Sequence, residues 1–435
     1  MSLDLGSVQA ALVAASPLPL RGRVTRLAGL VIEAAVAGVR QGEAVEIRTP
    51  GRAPLPAEVV GLRQDRALLV PLGEPAGVGV DSEVVPTGRP LAIRVGEALR
   101  GRVLDGLGEP IDGRPLPPGL EEWAVDRPAP GPLARRRVSA PLPLGVRAID
   151  GLATVGEGQR LGIFAGSGVG KSTLLGQIAR GTRAELSVLC LVGERGREVR
   201  ELVEGALGPE GLARSVVVAA TSDAPALVRL KAAHVATAIA EWFADQGGSV
   251  LFMLDSLTRY ARALREVGLA AGEPPARQGY PPSVFAALPR LLERTGVRPR
   301  GAITALYTVL VAGGDLEEPI ADEVRGILDG HVVLERKLAA EGRFPAIDPL
   351  QSLSRLMPAV AAPEHRRAAA RVRSLLAAHE RVRDLVALGA YRPGGDAEAD
   401  RALERLPAIE AFLRQAPDEV EPFPQAVARL AELAA

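Results

Sequence analysis

The spacing of apolar and polar residues changes character along this chain of 435 residues. Between about residue 22 and residue 88, short apolar runs alternate with turns rich in glycine and proline. Several short strands within about 65 residues are typical of a small closed β-barrel. The predicted barrel strands are 24–27, 30–34, 44–48, 58–62 and 67–71.

After a Gly/Pro-rich connection, apolar strands alternate with amphipathic helices from about Arg147 onward. This alternation predicts a mainly parallel sheet that is covered by helices on both faces. The predicted strands are 160–165, 186–192, 216–220, 249–254 and 302–310, and the predicted helices are 172–183, 198–206, 224–246 and 257–266.

Beyond about Leu356 the strand signals disappear, and helical periodicity with charged faces extends over 366–388 and 397–413. The fold class is therefore α/β, with an N-terminal β-barrel and a C-terminal helical domain. The expected division is a tail (1–20), a barrel (21–88), a nucleotide-binding domain (89–355) and a helical domain (356–435). The weakly amphipathic tail is expected to be either a frayed end or a small docking helix.

Composition excludes several classes of function. Acidic and basic residues balance at 52 each, so no global charge would attract nucleic acid or anionic lipid. The single cysteine and four histidines show no metal-ligand spacing. The chain contains neither an apolar run of about 20 residues nor a secretion signal, which predicts a cytoplasmic protein.

Residues 165–173 read Ala-Gly-Ser-Gly-Val-Gly-Lys-Ser-Thr between a predicted strand and a predicted helix, which is the setting of a phosphate-binding loop. Lys171 is expected to reach the β- and γ-phosphates, and the Ser172 hydroxyl is expected to bind Mg²⁺. The chain has only three lysines, Lys171, Lys231 and Lys337. A lysine would therefore fall at the motif position by chance less often than in a lysine-rich chain, which strengthens the prediction of a phosphate-binding loop. The candidate nucleotide-binding residues are Gly166, Ser167, Gly168, Val169, Gly170, Lys171, Ser172 and Thr173.

Two carboxylates end predicted strands on the side of the sheet where ligands bind. Asp255 ends the strand 249–254 and is expected to hold Mg²⁺ through water, although it could simply cap the next helix. Glu194 follows the strand 186–192 and is expected to orient the attacking water. The alternative for Glu194 is a surface ion pair with Arg195 or Arg197.

With these motifs in view, the chain resembles the ATPases of the flagellar protein-export apparatus and of type III secretion systems, which are relatives of the catalytic subunits of F- and V-type ATPases. The resemblance covers nearly the whole chain. It is carried by residues 145–152, 162–173, 192–201, 255–261, 268–275, 279–285, 321–331 and 344–348.

The resemblance implies a RecA-like P-loop NTPase domain in a homohexameric ring that hydrolyses Mg·ATP between subunits. Arg355 matches the arginine finger of the family and would act on the neighbouring subunit's nucleotide. Phe344 would lie against adenine, although an ordinary core phenylalanine is the alternative. The implied catalytic residues are Lys171, Glu194, Arg195, Asp255 and Arg355.

The implied partners are regulator and stalk proteins, the export gate, and secretion chaperones with their substrates, at the cytosolic face of the inner membrane. Peripheral membrane association is compatible with this location. The motifs favour a flagellar over an injectisome system. A Rho-type translocase on RNA and a ring subunit that binds nucleotide without hydrolysing it are competing hypotheses. Balanced charge and 3% aromatic residues argue against a nucleic-acid partner.

Overall fold

The computed structural model describes residues 20–166 and 168–435. The described chain divides into two compact units, one formed by residues up to Leu91 with Val267–Glu273 and the other by Ala92–Glu266 with Pro274–Ala435. Apart from Leu20, the predicted tail lies outside the described residues, as does Ser167 of the phosphate loop.

The first unit is a closed barrel with the strand order β1-β2-β5-β4-β3-β6. Alternate residues point inward, and Ile32, Ile47 and Leu69 are completely or almost completely buried in its core. The barrel prediction is confirmed, but β6 had escaped it because Pro86 and Pro90 interrupt the strand pattern. The strands are β1 Gly22–Ala28, β2 Val31–Ala35, β3 Glu43–Arg48, β4 Leu55–Arg63, β5 Arg66–Pro71 and β6 Glu83–Pro90.

The main sheet of the second unit has the strand order β17-β16-β10-β15-β13-β11-β12-β8. It is parallel from β8 to β16, whereas β17 pairs antiparallel with β16, and β14 pairs antiparallel with β15. Strands β7 and β9 form a separate ribbon. The bounds are β7 Ala92–Val95, β8 Arg102–Asp105, β9 Glu121–Ala124, β10 Arg160–Ala165, β11 Leu186–Glu194, β12 Ser215–Thr221, β13 Ser249–Asp255, β14 Gly296–Val297, β15 Ala302–Leu310, β16 Gly330–Leu334 and β17 Ile347–Ser354.

Helices connect and cover these strands, as the alternating pattern predicts. A π-helix, Glu201–Leu207, follows directly on α3. The bounds are α1 Arg147–Leu152, α2 Lys171–Gly181, α3 Gly196–Arg200, α4 Gly208–Ala213, α5 Ala226–Asp245, α6 Leu257–Ala270, α7 Pro282–Leu292, α8 Pro319–Ile327, α9 Arg336–Ala340 and α10 Met357–Val360. Short 3₁₀ turns cover Glu97–Leu99, Pro132–Ala134, Arg277–Gly279 and Ala312–Gly314.

The C-terminal helices are α11 Pro363–Ala387, α12 Ala397–Leu413 and α13 Phe423–Ala434. Phe412 and Leu430 share one apolar core with Ile149 of α1 and with the sheet. These helices therefore pack directly on the nucleotide-binding domain. Across residues 20–166 and 168–435, no helix combines the length and the apolar character that a bilayer crossing requires.

Candidate functional site

The carboxyl ends of β10, β13 and β11 meet at one edge of the parallel sheet, where ligands bind in open α/β folds. The phosphate loop follows β10, Asp255 ends β13 and Glu194 ends β11. Leu191 of β11 stands opposite Asp255 in the parallel register. The strand order therefore places both carboxylates beside the loop, as the sequence predicts.

Backbone conformation explains the glycines of the phosphate loop. Gly168 and Gly170 have φ angles of 79° and 90°, in the left-handed region that favours glycine. Val169 between them is 2% exposed and anchors the loop to the core. Gly170 then caps α2, which begins at Lys171. Ser172 and Thr173 lie exposed in the first turn of this helix.

The Lys171 ammonium joins the two carboxylates. Its Nζ contacts Asp255 Oδ1 and lies 3.4 Å from Glu194 Oε1. Asp255, 3% exposed, also accepts a 2.7 Å hydrogen bond from the Thr308 hydroxyl. The carboxylate of Asp255 thus faces the phosphate loop and does more than cap the following helix.

Glu194 is buried, so the alternative of a surface ion pair with Arg195 or Arg197 is wrong. Those arginines pair instead with Glu198 and Glu201. The pKa of Glu194 is raised to about 7, mainly by burial and also by the Glu198 and Asp255 carboxyls, whereas Lys171 and Arg259 act to lower this pKa. A carboxylate with a pKa near neutrality is suited to accept a proton at physiological pH.

Arg259 is the cation closest to Glu194 among its ion-pair partners, and the sequence did not predict it as a site residue. Its Nη1 lies 2.8 Å from Glu194 Oε2 and donates to the Gly193 carbonyl. Gly193 has a φ of 66°, and a Cβ there would lie 3.2 Å from Arg259 Cδ. The available signal was the place of Arg259 in the stretch 255–261, one helical turn after Asp255.

The structure does not bring Arg195 and Arg355 into this cluster. The Arg195 side chain is 74% exposed. Arg355 is exposed just after β17, and its backbone N–H donates to the Asp329 carbonyl at 2.9 Å. In the described part of the chain, no hydrogen bond or ion pair links Arg355 to Lys171, Glu194 or Asp255.

Phe344 lies beside the phosphate loop. Its side chain is 45% exposed, so the alternative of an ordinary core phenylalanine is wrong. A Cβ on Gly170 would lie 3.5 Å from the Phe344 ring. A cavity of about 860 Å³ runs along α2, lined in part by Ser172, Thr173 and Arg180, and Phe344 is not among its lining residues. This volume falls in the range of small-molecule and cofactor sites.

Comparison with known proteins assigns families to three parts of the chain. Residues 24–88 match the beta-barrel domain of the ATP synthase alpha/beta family, and residues 145–354 match its nucleotide-binding domain. Residues 361–432 match the T3SS EscN ATPase C-terminal domain.

The chain is similar to whole proteins of two kinds. It is 54% identical to the Type 3 secretion system ATPase of Xanthomonas euvesicatoria over 404 residues, 92% of this chain and 91% of the relative. It is 52% identical to the Flagellum-specific ATP synthase of Bacillus subtilis (strain 168) over 414 residues, 95% and 94% of the two chains. These matches confirm the resemblance.

A solved structure supports the same assignment. The structure of the assembled ATPase EscN in complex with its central stalk EscO, from the enteropathogenic E. coli type III secretion system, superposes with a TM-score of 0.88. The two sequences are 47% identical, and the superposition covers 95% of this chain and 100% of the EscN chain. The predicted arrangement of barrel, nucleotide-binding domain and helical domain is confirmed.

Proposed function

Because this chain belongs to the family of flagellar and type III secretion ATPases, a group of P-loop enzymes that energise protein export, we propose that the cluster around Lys171 is its hydrolytic centre. The observation that carries the proposal is the Lys171 ammonium between Glu194 and Asp255. A triphosphate in the loop would take over this cation, since phosphate oxygens bind ammonium groups at such loops. The buried carboxylates would then face the γ-phosphate.

Glu194 would orient the attacking water and accept its proton. Its raised pKa, near 7, suits this role because the carboxylate gains driving force for proton transfer while remaining substantially ionised. Arg259, 2.8 Å from Glu194 Oε2, would hold the carboxylate in place. Arg195, which pairs with Glu198, would assist from the rim of the site.

The residues present also fit Mg²⁺. Hydroxyl and carboxylate oxygens are the ligands that Mg²⁺ takes in nucleotide sites, together with phosphate and water. Ser172 would bind the ion directly and Asp255 through water, since both stand at the loop beside Lys171. When bound, Mg²⁺ neutralises charge on the β- and γ-phosphates. Thr308 would keep Asp255 oriented toward the loop through its hydrogen bond.

We further propose a homohexamer in which Arg355 completes the site of a neighbouring subunit. Arg355 is exposed next to the edge strand β17 and makes no hydrogen bond or ion pair with its own cluster within the described residues. A cation supplied in this way stabilises the charge that develops on phosphate, typically by about 10³–10⁵ in rate. EscN is known in an assembled form, which supports a ring for this chain.

By similarity to EscN in complex with its central stalk EscO, we propose a stalk protein as a partner. Membership in the family suggests as further partners a regulator protein, the export gate, and chaperones with their substrates, at the cytosolic membrane face. We propose that the chain divides into a tail (1–20), a barrel (21–88), a nucleotide-binding domain (89–355) and a helical domain (356–435). The relatives include both flagellar and secretion enzymes. Neighbouring genes for a flagellar rod and hook or for a needle complex would assign the system.

The test is ATPase activity measured against protein concentration. A site completed by a second subunit predicts that specific activity rises as rings assemble. When Arg355→Ala subunits are mixed with wild-type subunits, the ATPase activity should fall by more than the fraction of variant subunits in the mixture. Arg367→Ala, an exposed arginine paired with Glu364, is the matched control and should not inhibit. A verified monomer as active as the assembled form would overturn the shared site.

A further inference from the structure

A buried arginine outside the hydrolytic cluster holds the connection between α12 and α13. Arg147, in α1, has a side chain that is 4% exposed. Its Nε donates to the Phe412 carbonyl at 2.8 Å and its Nη2 to the Arg414 carbonyl. Its Nη1 contacts the carboxylates of Glu419 and Glu421. We refer to residues 412–421 as the strap.

The strap contacts two elements of the candidate nucleotide site, Phe344 and the helix that follows the phosphate loop. The Gln415 backbone N–H donates to the Phe344 carbonyl at 2.9 Å. Gln177 and Arg180 of α2, the helix that follows the phosphate loop, donate to the carbonyls of Ala416 and Pro417 at 3.1 and 2.7 Å. The strap therefore connects Phe344 to the phosphate-loop helix.

The Gln415 side chain ties this connection back to α1. Its Oε1 accepts the Arg147 backbone N–H at 2.9 Å, and its Nε2 donates to the Gly145 carbonyl at 2.8 Å. Gly145 in turn packs against Gly181 at the end of α2, where a Cβ on Gly145 would lie 2.8 Å from Gly181 Cα. The C-terminal half of α2 and the backbone of Phe344 thus share one frame with Arg147 near its centre.

We propose that Arg147 is a positioning residue for the base of the nucleotide, acting through the strap on Phe344. The inference rests on the proposed contact between Phe344 and adenine. A guanidinium suits the role because its planar fork can donate to two carbonyls and two carboxylates at once, which a lysine ammonium cannot match. Within the described residues, no hydrogen bond or ion pair links Arg147 to the phosphate loop, so its effect should be much larger for ligands that carry a base than for ligands that lack one.

The experiment measures the affinities of the full chain for ADP and for inorganic tripolyphosphate, which lacks the base. Arg147→Met should weaken ADP by about tenfold, within the roughly 5- to 150-fold that stacking on an aromatic ring contributes, and leave tripolyphosphate within about twofold. Arg373→Met is the matched control. Arg373 is partly buried and donates from α11 to the Leu152 and Ser352 carbonyls, and none of its hydrogen bonds among the described residues reaches the strap. It should leave the ratio of the two affinities unchanged.

The Phe344→Leu variant tests the contact of Phe344 with the base separately from the positioning role of Arg147. If it leaves ADP affinity unchanged, the proposed base contact of Phe344 is wrong whatever Arg147 does. If it weakens ADP while Arg147→Met does not, or if Arg147→Met weakens both ligands equally, the positioning role is overturned. The double variant should bind ADP no more weakly than Phe344→Leu alone, because both changes act through one contact. If circular dichroism shows that Arg147→Met is unfolded, Arg147→Lys is judged by the same criteria.

Discussion

Replacing Glu194 with glutamine preserves the size of the side chain and removes the proton acceptor from the end of β11. General acid–base catalysis typically contributes about 10²–10⁴ in rate, so we expect kcat to fall by at least ~10². With a pKa of about 7, roughly half of the Glu194 carboxyls are ionised at pH 7 and about 90% at pH 8, so the loss should be largest at the higher pH. Nucleotide affinity should not fall, because the change removes a negative charge 3.4 Å from the Lys171 ammonium.

The assay is phosphate release at saturating Mg·ATP and pH 8, with ADP affinity measured on the same preparations. Glu201→Gln is the control, since Glu201 lies at the start of the π-helix as an exposed carboxylate that pairs with Arg197 of α3. Its activity should stay within about twofold of wild type, as is usual for surface changes. Retention of more than about a tenth of the activity by Glu194→Gln would refute the proposed role. A parallel loss of ADP affinity would show that Glu194 maintains the structure of the site instead.

Two further predictions concern the pH dependence of the reaction and the stability of the fold. Because burial raises the pKa of Glu194 to about 7 and only its ionised form accepts a proton, kcat/KM should rise about tenfold from pH 6 to pH 8. This rise should be absent in Glu194→Gln, and a flat wild-type profile would contradict it. Arg294→Met should lower the free energy of unfolding by about 3 kcal/mol, because it removes the 2.9 Å ion pair of Glu241, 0% exposed, and leaves this carboxylate the longer 3.8 Å contact with Arg298. Denaturant unfolding measures the loss, and Arg294→Met with Glu241→Leu should recover most of it, whereas no recovery would contradict the buried-charge explanation.

The elements most accurately predicted were those whose pattern is local. Strands 160–165 and 302–310 and helix 397–413 were predicted with the bounds that the structure shows. Strand β11 is buried along its whole length, which explains its continuous apolar run. By contrast, β8, β16 and β17 were not assigned as strands. With four and five residues, β8 and β16 are too short for a clear periodic signal. In β17, Pro349 interrupts the strand pattern.

The phosphate loop and the two strand-end carboxylates could be identified without the structure. Glycines with left-handed φ angles and an apolar strand that ends in an acid are local requirements of backbone geometry, so they can be read without knowing the fold. The family followed from the same motifs. Composition also made the placement of Lys171 informative, since the chain has so few lysines.

The side chains that surround those motifs became apparent only from long-range packing. Arg259, Thr308 and Arg147 are distant in sequence from the groups they contact, and one arginine cannot be distinguished from many others by spacing alone. Packing likewise showed Phe344 beside Gly170 rather than in the core. Burial and neighbouring charges depend on the folded arrangement of strands, so the raised pKa of Glu194 is a property of the tertiary structure and not of its motif.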